Sequence, residues 1–286
     1  MLPRRACAGP VSKFKAMESV RAVAGWPVDN AAAAVVGADG SVLAGQGSMA
    51  REFKLASVTK LLTAYATLIA VEEGAVEWDQ PAGPEGSTVR HLIAHTSGLA
   101  FDEHKVVARP GTRRLYSNPG FEVLADTVHE ASGIPFAEYL TEAVLGPLGM
   151  TSSRLAGTAG AGAVSTCDDL ALFAAELQAP TLLSPDTLAE ATTVAFPGLG
   201  GVLPGFGYQK NNDWGLGFEL RDHKSPHWTG KNSSSRTFGH FGQSGTFVWV
   251  DPEARLSCVV LTDRAFGQWA VDAWPEFTDA VLAEVA

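Results

Sequence analysis

Ser57 and Lys60 stand in S-x-x-K spacing within FKLASVTKLLTAYATL, residues 53–68, and no charged residue follows from Leu61 to Val71. The segment therefore reads as a helix packed on most sides, with a lysine at its mouth. A buried ammonium is expensive unless it is paired or stripped of its proton. A serine at a helix N-terminus places its Oγ beside unsatisfied backbone N–H groups, where an oxyanion can be held. A lysine three residues on stands one turn up the same face. Desolvated there, its pKa falls from about 10.4 toward neutrality, and the amine becomes a base able to activate the serine. The alternative for the pair is an N-cap serine beside a lysine that snorkels to water. Spacing alone does not decide, because Ser12-Lys13-Phe14-Lys15 matches the same motif. That copy lies among charges with no apolar helix after it and reads as solvated surface.

Two further segments offer matching chemistry. Tyr116-Ser117-Asn118 sits in RPGTRRLYSNPGF, a Gly/Pro-punctuated loop before a helical pattern. A tyrosine hydroxyl can shuttle a proton at a leaving group, and an asparagine amide both donates and accepts. By itself Tyr-x-Asn also fits an ordinary loop with an Asx turn. His240-Phe241-Gly242 lies on an expected strand in FGHFGQSGT, where a glycine often marks close approach of a ligand to backbone. The N–H of Gln243 is then a candidate second oxyanion donor. A bent strand carrying a surface histidine is the alternative.

The elements that must position these residues are readable in outline. AAAAVVGADGSVLAGQG (31–47) reads as strand, Asp-Gly turn, strand, with the chemistry of a two-residue hairpin. Residues 11–25 fit a short amphipathic helix. Helical patterns fall at 89–95, 120–132, 135–144 and 168–177, and strand patterns return at 213–220, 237–252 and 255–263. A terminal helix is expected from Pro275 to Ala286, with its proline in the first turn. Strands at both chain ends imply one α/β unit: an antiparallel sheet flanked by helices, with an all-helical lobe inserted. The expected division is 11–71 and 198–286 for the sheet lobe and 72–197 for the helical lobe, the site lying between them. The Gly-rich loops 156–162 and 197–207 read as mobile.

The ordered run of motifs resembles the serine β-lactamase and penicillin-binding-protein superfamily. The nearer branch is that of class C β-lactamases, D-alanyl-D-alanine peptidases and related esterases. The likeness extends over LASVTKLLTAYATLIAVEEGAVEWDQPA, TVRHLIAHTSGLA, RPGTRRLYSNPGFEVLADTVHEASGIPFAEYLTEAVLGPLGMTSS, AGAVSTCDDLALFAAEL, WGLGFEL and FGHFGQSGTFVWVDPEARLSCVVLTD, covering roughly residues 30–265. It implies that Ser57 is an acyl-accepting nucleophile, Lys60 its proton acceptor and Tyr116 a second acid/base. It implies that Asn118 orients Lys60 and substrate, that His240 and Gly242 edge the site, and that Ser57 and Gln243 supply the oxyanion N–H groups. It further implies a small-molecule ester or amide substrate, β-lactams as acylating ligands, and no cofactor.

The departures from that pattern narrow the expectation. Where the superfamily's β-lactam and peptide hydrolases usually carry a lysine and a hydroxyl residue, this chain has His240 and Phe241. Histidine is mostly neutral at pH 7, so a substrate carboxylate loses its fixed partner. Esterase activity is therefore favoured over D-Ala peptidase and β-lactamase activity, with weak or no penicillin turnover. The alternative is a penicillin-recognising sensor that acylates and stalls. The short interval between Tyr116 and His240 points to an open cleft.

Other clusters carry less. His91 and His95 share a helical face, but His91 is not followed by glutamate and no third ligand offers itself, so no metal is expected. His223 and His227 fall in a polar loop and read as exposed. Arg109, Arg113 and Arg114 are candidates to attract an acidic substrate, and Trp214, Trp228 and Trp249 to line the cleft, with core packing the favoured role for Trp214 and Trp249. Net charge of −10 argues against nucleic-acid or anionic-membrane partners. Three scattered cysteines form no framework. The longest apolar run is too short to span a bilayer, and no apolar stretch follows the N-terminal arginines. With Met1 as the start a cytoplasmic location is expected; removal of an export signal would imply the opposite.

Overall fold

The computed structural model describes residues 17–285. In chain order its strands are β1 (Ala31–Gly37), β2 (Val42–Gly47), β3 (Phe53–Lys54), β4 (Arg154–Leu155), β5 (Ala163–Ser165), β6 (Gly201–Leu203), β7 (Gly207–Gln209), β8 (Glu219–Leu220), β9 (Phe238–Gly242), β10 (Thr246–Asp251) and β11 (Leu256–Thr262). The helices are α1 (Glu18–Arg21), α2 (Thr59–Glu72), α3 (Val89–Ile93), α4 (Asn118–Ser132), α5 (Phe136–Leu140), α6 (Cys167–Glu176), α7 (Pro185–Ala191) and α8 (Gln268–Val285).

The main sheet runs β2-β1-β11-β10-β9-β8 and is antiparallel throughout. Its centre joins the two chain ends: Ala31 pairs with Thr262 and Gly37 with Leu256. Successive strand residues face opposite sides, which explains the unbroken apolar run of β1. Ala32, Ala34 and Val36 enter one core with α2 and α6, while Ala33 and Val35 enter a second core with α1 and α8. A sheet covered on both faces needs apolar residues at every position rather than at alternate ones. The expected antiparallel sheet flanked by helices is present. Between its two halves lies a mainly helical stretch that also contains β4 and β5, which pair with β3 in a separate small sheet. Within 72–197, α6 packs on β1 and β11 rather than on the other helices of that stretch.

Four details differ from the sequence reading. The β1–β2 connection uses residues 38–41, not two residues, because the Asp39 carboxylate accepts from the Ser41 N–H at 3.0 Å and builds an Asx-type turn. The strand expected at 213–220 shrinks to β8, since Gly217 (φ 91°) abuts α2: a Cβ there would lie 2.1 Å from the Ala64 Cβ. The last helix starts at Gln268 and carries Pro275 inside it, because its buried stripe of Ala270, Trp274, Phe277 and Val281 begins before the proline. The expected helix at 11–25 appears as α1 followed by a 3-10 turn at Ala22–Gly25; its first residues, Cys7 and the second S-x-x-K copy lie outside the described residues. Among the described residues no helix is long and apolar enough to cross a membrane.

Candidate active site

Ser57 occupies a 3-10 turn, Ala56–Val58, that runs directly into α2. Ala56 holds a φ of 45°, a left-handed conformation rare for a side chain with a Cβ and a form of strain common at functional turns. α2 is buried from Thr59 through Ala70, so the lysine at its mouth is enclosed. The end of β9 presses against the serine turn. A Cβ on Gly242 would stand 2.3 Å from the Leu55 carbonyl and 3.2 Å from the Ser57 nitrogen, so only glycine admits this approach. The close partner is backbone, not the ligand expected from the sequence. It brings Gln243 onto the same cavity wall as Ser57.

Lys60 Nζ lies 2.5 Å from Asn118 Oδ1, 2.7 Å from the Gly160 carbonyl and 3.5 Å from Ser57 Oγ. Burial lowers its pKa to about 7, with Asp102 and Glu122 pulling the other way. A neutral amine has two N–H donors and one lone pair. Asn118 and Gly160 take the donors, which leaves the lone pair for the serine hydroxyl. The Asn118 amide is itself fixed: its Nδ2 donates to Asp102 Oδ1 at 2.5 Å, so its Oδ1 faces Lys60. Gly160 belongs to the loop expected to be mobile. α2 ties that loop down three times, through Thr59 to the Ala163 N–H, Lys60 to the Gly160 carbonyl and Thr63 to the Ala159 carbonyl.

Tyr116 completes the group. Its hydroxyl is 3.1 Å from His240 Nε2 and hydrogen-bonds Ser57. Burial raises the phenol above its ordinary pKa, with the Ser57 hydrogen bond opposing, so it stays protonated at neutral pH. Burial first, then the Lys60 charge, lowers His240 to about 3, so this imidazole is neutral and not a cation. His95 backs the tyrosine ring at 4.5 Å between centroids, and its Nδ1 accepts the Ser117 N–H at 3.2 Å. Burial also lowers the His95 pKa. His91 instead lies 2.9 Å from Thr88 Oγ1, so the two imidazoles of the HLIAH segment serve different neighbours.

Ser57, Tyr116, Asn118, His240 and Gln243 share one cavity of about 360 Å³ with Phe101, Leu203 and Trp214. Lys60 and Gly242 stand immediately behind its wall. The charged residues on that wall are Asp102 and Glu219, with no lysine or arginine among its lining. Glu219 is buried and held to about pKa 2, because His227 and Lys224 outweigh its desolvation.

Three sequence expectations need correction here. His227 is not exposed: it is buried, with its Nε2 3.0 Å from Glu219 Oε2, while Lys224 pairs with the same carboxylate. Arg114 is buried too, and its guanidinium is occupied by the carbonyls of Ala195, Phe196 and Asn212 rather than turned to a substrate. Trp228 packs in the second core against Phe241 and Phe247 instead of lining the cleft. Sequence reasoning missed Asp102 and Glu219. Asp102 sits in a loop with no pattern of its own, and its contact with Asn118 crosses 16 residues.

A family model described as Beta-lactamase matches residues 28–282. The chain is similar to a β-lactamase from Mycobacterium bovis, at 61% identity and a TM-score of 0.92 over 93% of this chain and 99% of that one. It shares a fold with a mutant of simvastatin synthase from Aspergillus terreus, at 18% identity and a TM-score of 0.77 over 93% of each chain. It is 29% identical to penicillin-binding protein 4* of Bacillus subtilis (strain 168) over 136 residues, which are 36% of this chain and 30% of that protein. The match thus spans less than a third of that relative's length.

Proposed function

The chain belongs to the Beta-lactamase family, whose members are serine hydrolases, and from that premise we propose that it hydrolyses small neutral esters through an acyl-enzyme at Ser57. Neutral Lys60 takes the proton of Ser57 as Oγ bonds to the substrate carbonyl carbon. The N–H groups of Ser57 and Gln243 receive the developing oxyanion. The bond to the leaving alcohol then breaks, and Tyr116 delivers a proton to the alcohol oxygen. Water attacks the acyl carbon by the reverse route, the acid departs, and Ser57 regains its proton. One ester and one water become one acid and one alcohol. Asn118, steadied by Asp102, orients Lys60. His240 steadies the Tyr116 hydroxyl. The sheet lobe and the helical stretch between its strands act as the two sides of the cleft.

The observation that carries the preference for esters is the charge of the cavity wall. Asp102 is acidic, Glu219 is already paired with Lys224, His240 is neutral, and Phe241 is buried in an aromatic cluster with Phe266 and Trp274. No lysine or arginine lines this cavity to pair with a peptide or β-lactam carboxylate. A second reading, acylation by β-lactams, is favoured by the 61% identity with a β-lactamase from Mycobacterium bovis; in its sensor form the acyl-enzyme would turn over slowly.

Intact-protein mass spectrometry separates the two readings. Wild type treated with a fluorophosphonate should gain one adduct that Ser57→Ala lacks; an adduct that survives the substitution overturns the mechanism. Release of nitrophenol from p-nitrophenyl butyrate without opening of nitrocefin is the expected pattern. A persistent nitrocefin adduct without turnover supports the sensor instead.

A further inference from the structure

Beside the catalytic cavity lies a larger one, of about 740 Å³, and the two share Phe101, Tyr116 and Pro204. The larger cavity is walled mainly by apolar groups, among them Val107, Leu115, Val202 and Tyr208. Strand alternation makes β6 a partition: Val202 faces the larger cavity and Leu203 the catalytic one. The exposures are unusual. Phe101 is 52% exposed, Val107 50%, Val202 59% and Tyr208 72%, and these four account for most of the large apolar side chains exposed among the described residues. Apolar surface gathered at one place, rather than scattered, marks a binding site. Its continuity with the catalytic cavity says what binds there: a part of the same molecule whose carbonyl reaches Ser57.

We propose that this cavity is the leaving-group subsite and takes the apolar alcohol portion of a neutral ester, an alkyl chain or ring of six or more carbons. The assignment rests on the acyl-enzyme reading above. In that reaction the alcohol oxygen departs toward its proton donor, Tyr116. The larger cavity begins on the wall that Tyr116 shares, so the carbon skeleton attached to that oxygen runs into it. Arg113 and Arg114 also line it. The Arg114 guanidinium is taken up by main-chain carbonyls, and Arg113 is a surface side chain. Arg114 therefore adds no polar demand on a ligand, and the exposed Arg113 can keep its charge in water.

Two ester series test the assignment by kcat/KM: alkyl acetates from methyl to octyl, and methyl alkanoates from acetate to octanoate. Burial of each methylene is worth up to about fourfold, so hexyl acetate should exceed methyl acetate by about 100-fold or more, while the methyl alkanoates stay within about fivefold of one another. The double variant Val202→Ser/Tyr208→Ser changes exposed positions. With an unchanged thermal melt, it should cut the hexyl-to-methyl ratio by about tenfold. A flat acetate series, or a response confined to the alkanoates, overturns the subsite. If Ser57 still takes the fluorophosphonate and methyl acetate is still hydrolysed, the acyl-enzyme reading survives that failure. Loss of both labelling and hydrolysis in wild type overturns the two together.

Discussion

In the proposed mechanism Lys60 is the residue on which the chemistry turns, and its proton is set by groups on several elements. Burial strips it, Asp102 and Glu122 favour keeping it, and its own charge bears on His95 and His240 nearby. A base must be unprotonated to act, so kcat/KM should rise with pH through about 7 and level off above it. Removing the Asp102 carboxylate deletes a charge that favours the ammonium, so the Lys60 pKa falls and the rising limb moves to lower pH. Asp102→Asn and Asp102→Ala should both show that shift in a pH–rate profile. Only the alanine variant also frees the Asn118 amide, so it alone should also lose kcat, by up to about 100-fold, the scale of a catalytic group misplaced by about 1 Å. An unshifted limb in both variants would remove Asp102 from the machinery.

At the scale of elements, the site depends on two contacts that bring distant segments together. β9 meets the serine turn at Gly242, and α2 holds the 159–163 loop through Thr59, Lys60 and Thr63. In Gly242→Ala the new methyl meets a backbone carbonyl that cannot rotate away, so β9 must retreat and carry Gln243 with it. Activity should fall by about 100-fold, the usual cost of losing one oxyanion donor. The melting temperature should drop by several degrees, as overpacking costs about 1–3 kcal/mol. Activity within a few-fold of wild type would show that the approach is not needed. Gly242 was legible as a strand glycine with a purpose, but not the partner it approaches, because Leu55 is remote in sequence. Likewise Phe241 was legible as a missing hydroxyl, whereas its burial among Phe266 and Trp274 was not.

At the scale of the whole molecule, the chain is closed on itself by β11, which lies between β1 from the N-terminal part and β10 from the C-terminal part. A chain ending at residue 254 would lose β11 and α8 and leave β1 and β10 with unpaired edges. It should show no cooperative melt by circular dichroism and should elute as an aggregate. A cooperative transition in that fragment would mean that the helical stretch folds without the sheet.

The order of motifs along the chain determined the family, and strand patterns at both ends the sheet, while the grouping of Ser57, Lys60, Tyr116, Asn118 and His240 followed from likeness to that family, because Tyr-x-Asn and a strand histidine are not distinctive by themselves. Tertiary structure alone decided what surrounds them. Asp102 behind Asn118, the Glu219–Lys224–His227 cluster behind His240, and the apolar cavity past Tyr116 are built from loops and strands of two or three residues, too short to show periodicity. Burial turned Arg114 from a candidate substrate anchor into a brace for main-chain carbonyls. The physical reason is common to all of these: charge, desolvation and cavity shape are sums over neighbours, and the neighbours come from parts of the chain that only folding brings together.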